Sequence, residues 1–257
     1  MLLALAFAVV AVLLGNWQYS RHQGKVEART LIEQHYAAEP MTLSHVLPAA
    51  DEPWEPALEW TRVELSGHYR ADEQLLVRNR PHRGVSGYAV VVPFVPEGGA
   101  GVALLVDRGW VANARDAATL PQVPAVPTER LTVTGWLRPG EVDLGRDPPP
   151  GQLASINLTE AARRSGSELY DGYLVLGEES VSGRVSPPER PVPADPPETG
   201  LGPHFAYALQ WWLTAPLGVV LVVLMARRDA QATRTDKPPD GIPSPARRPR
   251  IWDEEDE

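Results

Sequence analysis

The chain has 257 residues, enough for one medium domain with membrane anchors. A formal charge of -9 argues against nucleic acid as a partner, and the lack of any cysteine excludes disulfides, thiolate metal centres, thiolate-based copper delivery and a cysteine nucleophile. A histidine-based site stays open, and a mean hydropathy of -0.23 limits any membrane part to a minority of the chain.

Met1 to Leu14 is apolar throughout and is followed by Gly15-Asn16-Trp17-Gln18-Tyr19-Ser20-Arg21. At about 1.5 Å per residue the apolar run covers roughly 21 Å, short of a full crossing. A cleaved signal peptide is the rival reading, but no Lys or Arg precedes the run and no small-x-small site follows it. Trp17 and Tyr19 suit the interfacial end of a retained transmembrane helix over 1–19. The shortfall implies that the true start lies upstream of Met1 or that the helix stands nearly upright.

Residues 20–203 then read as one domain. Its first part, Lys25 to Tyr36, carries Glu, Ala, Arg and Gln with no Pro or Gly and predicts a helix. Pro40, Pro48, Pro53 and Pro56 turn the next stretch into an irregular connector. Strand-like runs come after it: Trp60–Tyr69, Gln74–Arg80, Gly87–Val95, the nearly continuous apolar Val102–Val111, Leu131–Leu137, Leu153–Leu158 and Tyr173–Leu176. Thr159 is a candidate N-cap for a short helix to Arg164. The pattern predicts six or seven strands in an antiparallel barrel or sandwich, and residues 181–203, rich in Pro, read as a stiff spacer that need not pack.

Phe205 to Ala226 holds no formal charge and is long enough to cross the roughly 30 Å hydrocarbon layer, so 204–226 is the second transmembrane helix. Its first half carries His204, Tyr207, Gln210, Trp211 and Thr214, which at 100° per residue fall within about a third of the circumference. Polar groups at membrane depth are costly and usually face a helix, a cavity or a ligand. Beyond this span lie Arg227, Arg228, Arg234, Lys237, Arg247, Arg248 and Arg250, whereas residues 189–203 carry only Arg190 against Glu189, Asp195 and Glu198. The positive-inside rule then puts both termini in the cytoplasm and the central domain outside it, although Arg21, Lys25 and Arg29 weaken the contrast. Residues 227–257, ending in an acidic run, read as a disordered cytoplasmic tail. The fold class is therefore α+β: a multi-pass cell-membrane protein with two transmembrane helices flanking one β-rich, barrel- or sandwich-like extracytoplasmic domain.

Motifs for chemistry are few. Neither a phosphate-binding Gly-rich loop, nor H-E-x-x-H, nor a G-x-S-x-G elbow is present, and the six His residues do not cluster at metal-ligand spacing. His68, within a strand, reads as structural; His82, in a turn, reads as solvent-exposed. On the first helix Trp17, Gln18, Arg21 and Lys25 share a face, where the two cations either snorkel to lipid headgroups or meet the carboxylates of an amphiphilic cofactor. His204, at the outer end of the second helix, is a candidate haem ligand, with Tyr207 and Trp211 continuing its stripe. Arg108, ending the most apolar strand, pairs with a domain carboxylate or faces a membrane partner.

Leu14-Gly15-Asn16-Trp17-Gln18 with Arg21 and Lys25, Arg62-Val63 with Gly67 and Tyr69, Arg78-Asn79-Arg80 with Gly84 and Gly87, Val106-Asp107-Arg108-Gly109-Trp110-Val111, Gly135 with Leu137-Arg138, and His204-Phe205-Ala206-Tyr207-Ala208-Leu209-Gln210-Trp211 occur in this order. The ordered set closely resembles the surfeit locus protein 1 family, cytochrome c oxidase assembly factors, over about residues 13–226. The chain departs from that family at Asp107, usually Asn there, at Ala112, often Pro, and in its shorter first helix. The resemblance implies a non-catalytic role in building the oxidase, helping haem a reach or settle in the catalytic subunit, with His204 as a haem contact. Besides that subunit and membrane lipid it implies no further partner. The dominance of arginine over lysine suits an actinobacterial member. The alternative is a structural accessory subunit of the oxidase, or of a respiratory supercomplex, that does not bind haem. A third class, an extracytoplasmic hydrolase, lacks any nucleophile-base arrangement.

Overall fold

The computed structural model describes residues 2–49, 52–116, 119–181, 183 and 186–235. These form two compact units, one built from the chain up to Gly24 and from Leu201 onward, the other from Lys25–Gly200. Four α-helices are present among the described residues: α1 (Leu2–His35), α2 (Leu43–Val46), α3 (Leu158–Ser165) and α4 (His204–Thr235). Between them lie β1 (Met41–Thr42), β2 (Arg62–Tyr69), β3 (Leu75–His82), β4 (Val85–Pro96), β5 (Ala103–Ala112), β6 (Leu131–Arg138), β7 (Gln152–Leu153) and β8 (Leu169–Val181).

In the unit of residues 25–200, β2 pairs with β6, β6 with β8, β8 with β5, β5 with β4, and β4 returns to β2 through Gly67–Tyr69. Five strands thus close a small barrel, which settles the choice between barrel and sandwich. The barrel is not wholly antiparallel: β5 and β8 run parallel, as do the short edge pairs β1–β2 and β3–β7. Side-chain alternation decides the inside. Val63, Leu65 and Tyr69 of β2, Val90, Val92 and Phe94 of β4, Leu104 and Val106 of β5 and Leu131, Val133 and Leu137 of β6 are buried together. A second cluster, with Leu75, Val91, Leu105, Leu153 and Ala161, covers the opposite face of the β3–β4–β5 region under α3.

Several expectations change. The expected strand over Leu153–Leu158 shrinks to Gln152–Leu153, because Leu158 already starts α3. The N-cap of α3 is Asn157, whose side-chain oxygen accepts the Glu160 N–H at 3.0 Å, rather than Thr159. β8 runs far beyond Tyr173–Leu176. The Pro-rich segment packs: Val192 exchanges backbone hydrogen bonds with Trp110 at 2.7 and 2.9 Å, and Arg190 donates to the Gly177 carbonyl. Asp195 of the same segment lies 3.2 Å from the His82 ring, which also rests on Trp110, so His82 is nearly buried, while His68 stands exposed on the outer side of β2.

Two helices, Leu2–His35 and His204–Gln231, are long and apolar enough to cross a bilayer. The first runs past residue 19 and unbroken through Gly24 into the stretch from Lys25 expected to continue it, ending at His35. The second continues through Thr235, so the first nine residues assigned to the tail are helical, and 236–257, with the terminal acidic run, lie outside the described residues.

Candidate functional site

The unit of residues 2–24 and 201–235 is an antiparallel helix pair. The less exposed positions include Ala4, Ala8, Ala11, Gly15, Gln18 and His22 on α1, flanked by Leu14, and His204, Ala208, Trp211, Ala215, Gly218 and Val222 on α4, flanked by Trp212, Thr214, Val219 and Val223. Both sets advance by alternating steps of four and three, the repeat that keeps a seam facing a partner helix. Small residues in the seam let two backbones approach where lipid offers no hydrophobic drive. The register follows from contacts: Phe7 lies against Gly218, Gly15 against Trp212, Gln18 against His204, and the His22 ring is 5.2 Å from that of Phe205. A Cβ at Gly15 would overlap the Trp212 ring, and that ring donates its N–H to the Asn16 side-chain oxygen at 3.2 Å.

His204 is the first residue of α4, and its Nδ1 lies 2.9 Å from Gln18 Oε1. An amide oxygen only accepts, so with Gln18 in this orientation the bond takes its proton from Nδ1. The Nε2–Cδ2 edge faces Gly202, where even a Cβ would sit at 3.5–3.7 Å. One turn beyond Gln18 on α1, the His22 ring lies near those of Phe205 and Tyr19, and the Tyr19 ring lies 5.5 Å from that of Trp212. The donor itself suits haem iron: one imidazole, held through its other nitrogen by an amide from the facing helix.

The other residues singled out from sequence divide. Trp211 lies in the helix seam, half-buried. Tyr207 and Gln210 are exposed, so the polar stripe splits: its His204 edge meets α1 and its Tyr207–Gln210 edge faces outward. Thr214 returns its hydroxyl to the Gln210 carbonyl at 2.6 Å. Arg21 places its guanidinium 5.0 Å from the centre of the Trp17 ring and is exposed, as is Lys25; Gln18, grouped with them by angle, turns instead to His204. The signal that separates Gln18 from Arg21 is the four-three repeat of small residues, which passes through 18 and 22 and skips 21.

Arg108 takes the domain carboxylate. Its Nη2 donates to Glu179 Oε1 at 2.7 Å, both side chains are fully buried, and the Tyr69 hydroxyl donates to Glu179 Oε2 at 3.1 Å. Burial, reinforced by the Glu179 carboxylate, pushes the Tyr69 hydroxyl well above the ordinary phenol range. Next door, Asp107 faces away from this trio and lines a pocket of about 200 Å³ with Arg80, His82, Trp110 and Asp195. Burial pushes its carboxyl up to about 7, against the opposing pull of the Gly109 N–H and of Arg80. No group of three or more His, Asp or Glu side chains placed to hold a metal ion occurs among the described residues.

Comparison with known proteins bears on this arrangement. The model of the SURF1 family matches residues 5–215. A SURF1-like protein of Mycobacterium bovis is 31% identical over 255 residues, covering 94% of this chain and 90% of its own, and a SURF1-like protein of Mycobacterium tuberculosis matches equally. The cytochrome oxidase assembly protein SHY1 of Saccharomyces cerevisiae is 28% identical over 184 residues, 66% of this chain and 46% of its own. The family match takes in the barrel, the His204–Gln18 pair and most of the small-residue seam on both helices, and so the chain belongs to the SURF1 family.

Proposed function

We propose that this chain is an assembly factor for cytochrome c oxidase, receiving or steadying haem a for the catalytic subunit at the His204 end of its helix pair. Membership of the SURF1 family together with the likeness to the assembly protein SHY1 supports the assembly role. The haem reading draws on the His204 geometry. His204 offers an imidazole as an axial ligand, and Gln18 holds the ring from the facing helix. A bound haem supplies redox-active iron, which is cargo here and needs no chemistry from this chain. A single axial ligand between two helices allows release, whereas a closed cage would not. Arg21, exposed on Trp17, and Lys25 are available to haem propionates or lipid phosphates.

The chain sits in the cell membrane with both termini in the cytoplasm and the barrel outside it, on the strength of the arginines that come after the second span. His204→Ala in the producing cell is expected to lower the haem content of the oxidase several-fold while leaving the level of this protein unchanged. Equal oxidase haem spectra in variant and wild type would refute the haem role. One observation favours a second reading, an accessory subunit that clamps the oxidase without haem: Tyr207 and Gln210 face outward from a membrane helix, as a helix-helix contact would use them. That reading expects stoichiometric co-purification with the oxidase and no Soret band from the isolated protein.

A further inference from the structure

We infer that the outer wall of the barrel carries a binding site for a small carboxylate on an apolar body, with Arg62 as the group that takes the carboxylate. The site lies wholly within the unit of residues 25–200 and does not depend on the haem reading. Arg62 opens β2, and the alternation that turns Val63, Leu65 and Tyr69 into the lumen turns Arg62 to the outside. There it lines a cavity of about 360 Å³ together with His35 at the end of α1, Met41 of β1, His45 and Val46 of α2, and Leu58.

Three observations carry the inference. Arg62 has no partner of its own: its Nε is sealed from solvent and donates to nothing, and its guanidinium makes no ion pair, among the described residues. Glu59, three residues back, is taken by Arg138 at 3.1 Å, and the Arg138 guanidinium also covers the Trp60 ring. A buried donor without an acceptor is costly, and it marks a place suited to an acceptor from outside the chain. The second observation is the charge of the wall. His35 and His45 can both carry a proton, His35 being held at the rim by its Nδ1 donating to the Glu59 carbonyl at 3.0 Å, and Glu39 is the one carboxylate lining the cavity. The third is the rest of the lining, where Met41, Val46 and Leu58 present aliphatic surface. The volume falls within the range of small-molecule cavities, roughly 300–1,000 Å³.

A guanidinium holds a carboxylate through two parallel N–H···O bonds, which would use the Nε left idle here. The aliphatic lining would take a hydrocarbon body at the same time. An inorganic anion would use the cation and leave that lining wet, so the arrangement favours a singly charged amphiphile.

The test is calorimetric titration of the full-length chain in non-ionic detergent with hexanoate, corrected by titration into detergent alone. Hexanamide, acetate and inorganic phosphate are run beside it. Hexanoate should bind saturably, with the other three at least ten-fold weaker. Arg62→Gln should weaken hexanoate at least ten-fold. Ala57→Phe, which fills the cavity from its lining and leaves Arg62 in place, should weaken it as well, and it decides the matter should the Arg62 variant fail to fold. The inference is overturned if hexanoate does not saturate, if a folded variant binds it as the wild type does, or if hexanamide, acetate or phosphate binds as tightly.

Discussion

Asp107 is a residue whose chemistry departs far from its free state. It accepts the Gly109 N–H at 3.0 Å, yet burial pushes its carboxyl up to about 7 from an unfolded value near 3.8. The folded state therefore holds a proton that the unfolded chain gives up. The resulting stabilisation is full below about pH 4 and is lost as pH rises through about 7. Asp107→Asn keeps an oxygen for Gly109 and carries no charge at any pH. Thermal unfolding should show this variant more stable than wild type by on the order of 2 kcal/mol at pH 8, the gap closing below pH 4. A gap that is constant with pH would place the titration elsewhere. Arg108 is the opposite case, a permanent charge matched by Glu179 inside the barrel. Arg108→Met strands a buried carboxylate and should cost about 3–5 kcal/mol, while Arg108→Met with Glu179→Leu should recover most of it.

At the level of elements, the helix pair depends on close approach. Gly15→Val would drive a branched side chain into Trp212 and separate the seam, breaking the Asn16–Trp212 and Gln18–His204 bonds together. Because the chain has no native cysteine, the pair Gln18→Cys and His204→Cys can report this directly. Disulfide yield should fall several-fold when Gly15→Val is added. Local pattern reads such elements well where one residue's fate depends on its neighbours: β2, β3, β5 and β6 lie within two residues of their expected ends because their alternation or apolar run is local. It fails where a distant partner decides. Glu178 and Glu179 look like a strand end, and Glu179 is buried only because Arg108, 71 residues earlier in the chain, meets it. Val192 sits among prolines that promise a free spacer, but its own N–H and C=O are available and Trp110 takes both. His204 was legible as a candidate from its place at the head of an apolar helix. Gln18 was not distinguished from Arg21 because both fall on one side of a helical wheel, and only the small-residue seam tells them apart.

For the molecule as a whole, the orientation across the membrane is open to a direct check. Ser86, exposed on β4, and Ala230, exposed near the end of α4, belong to different units and are predicted to lie on opposite sides of the bilayer. A membrane-impermeant maleimide applied to intact cells should label Ser86→Cys and spare Ala230→Cys until the cells are permeabilised. Labelling in the reverse order would invert the topology and move His204 to the cytoplasmic face. The five-stranded barrel has its own consequence for how work is divided along the chain. Phe94, Leu104, Leu131, Leu137 and Leu174 fill its lumen together with the Arg108–Glu179 pair, all of them sealed from solvent. A macrocycle the size of a porphyrin would have to expel that whole plug, so the lumen is closed to any such guest, and what the barrel has to offer another molecule is its outer wall.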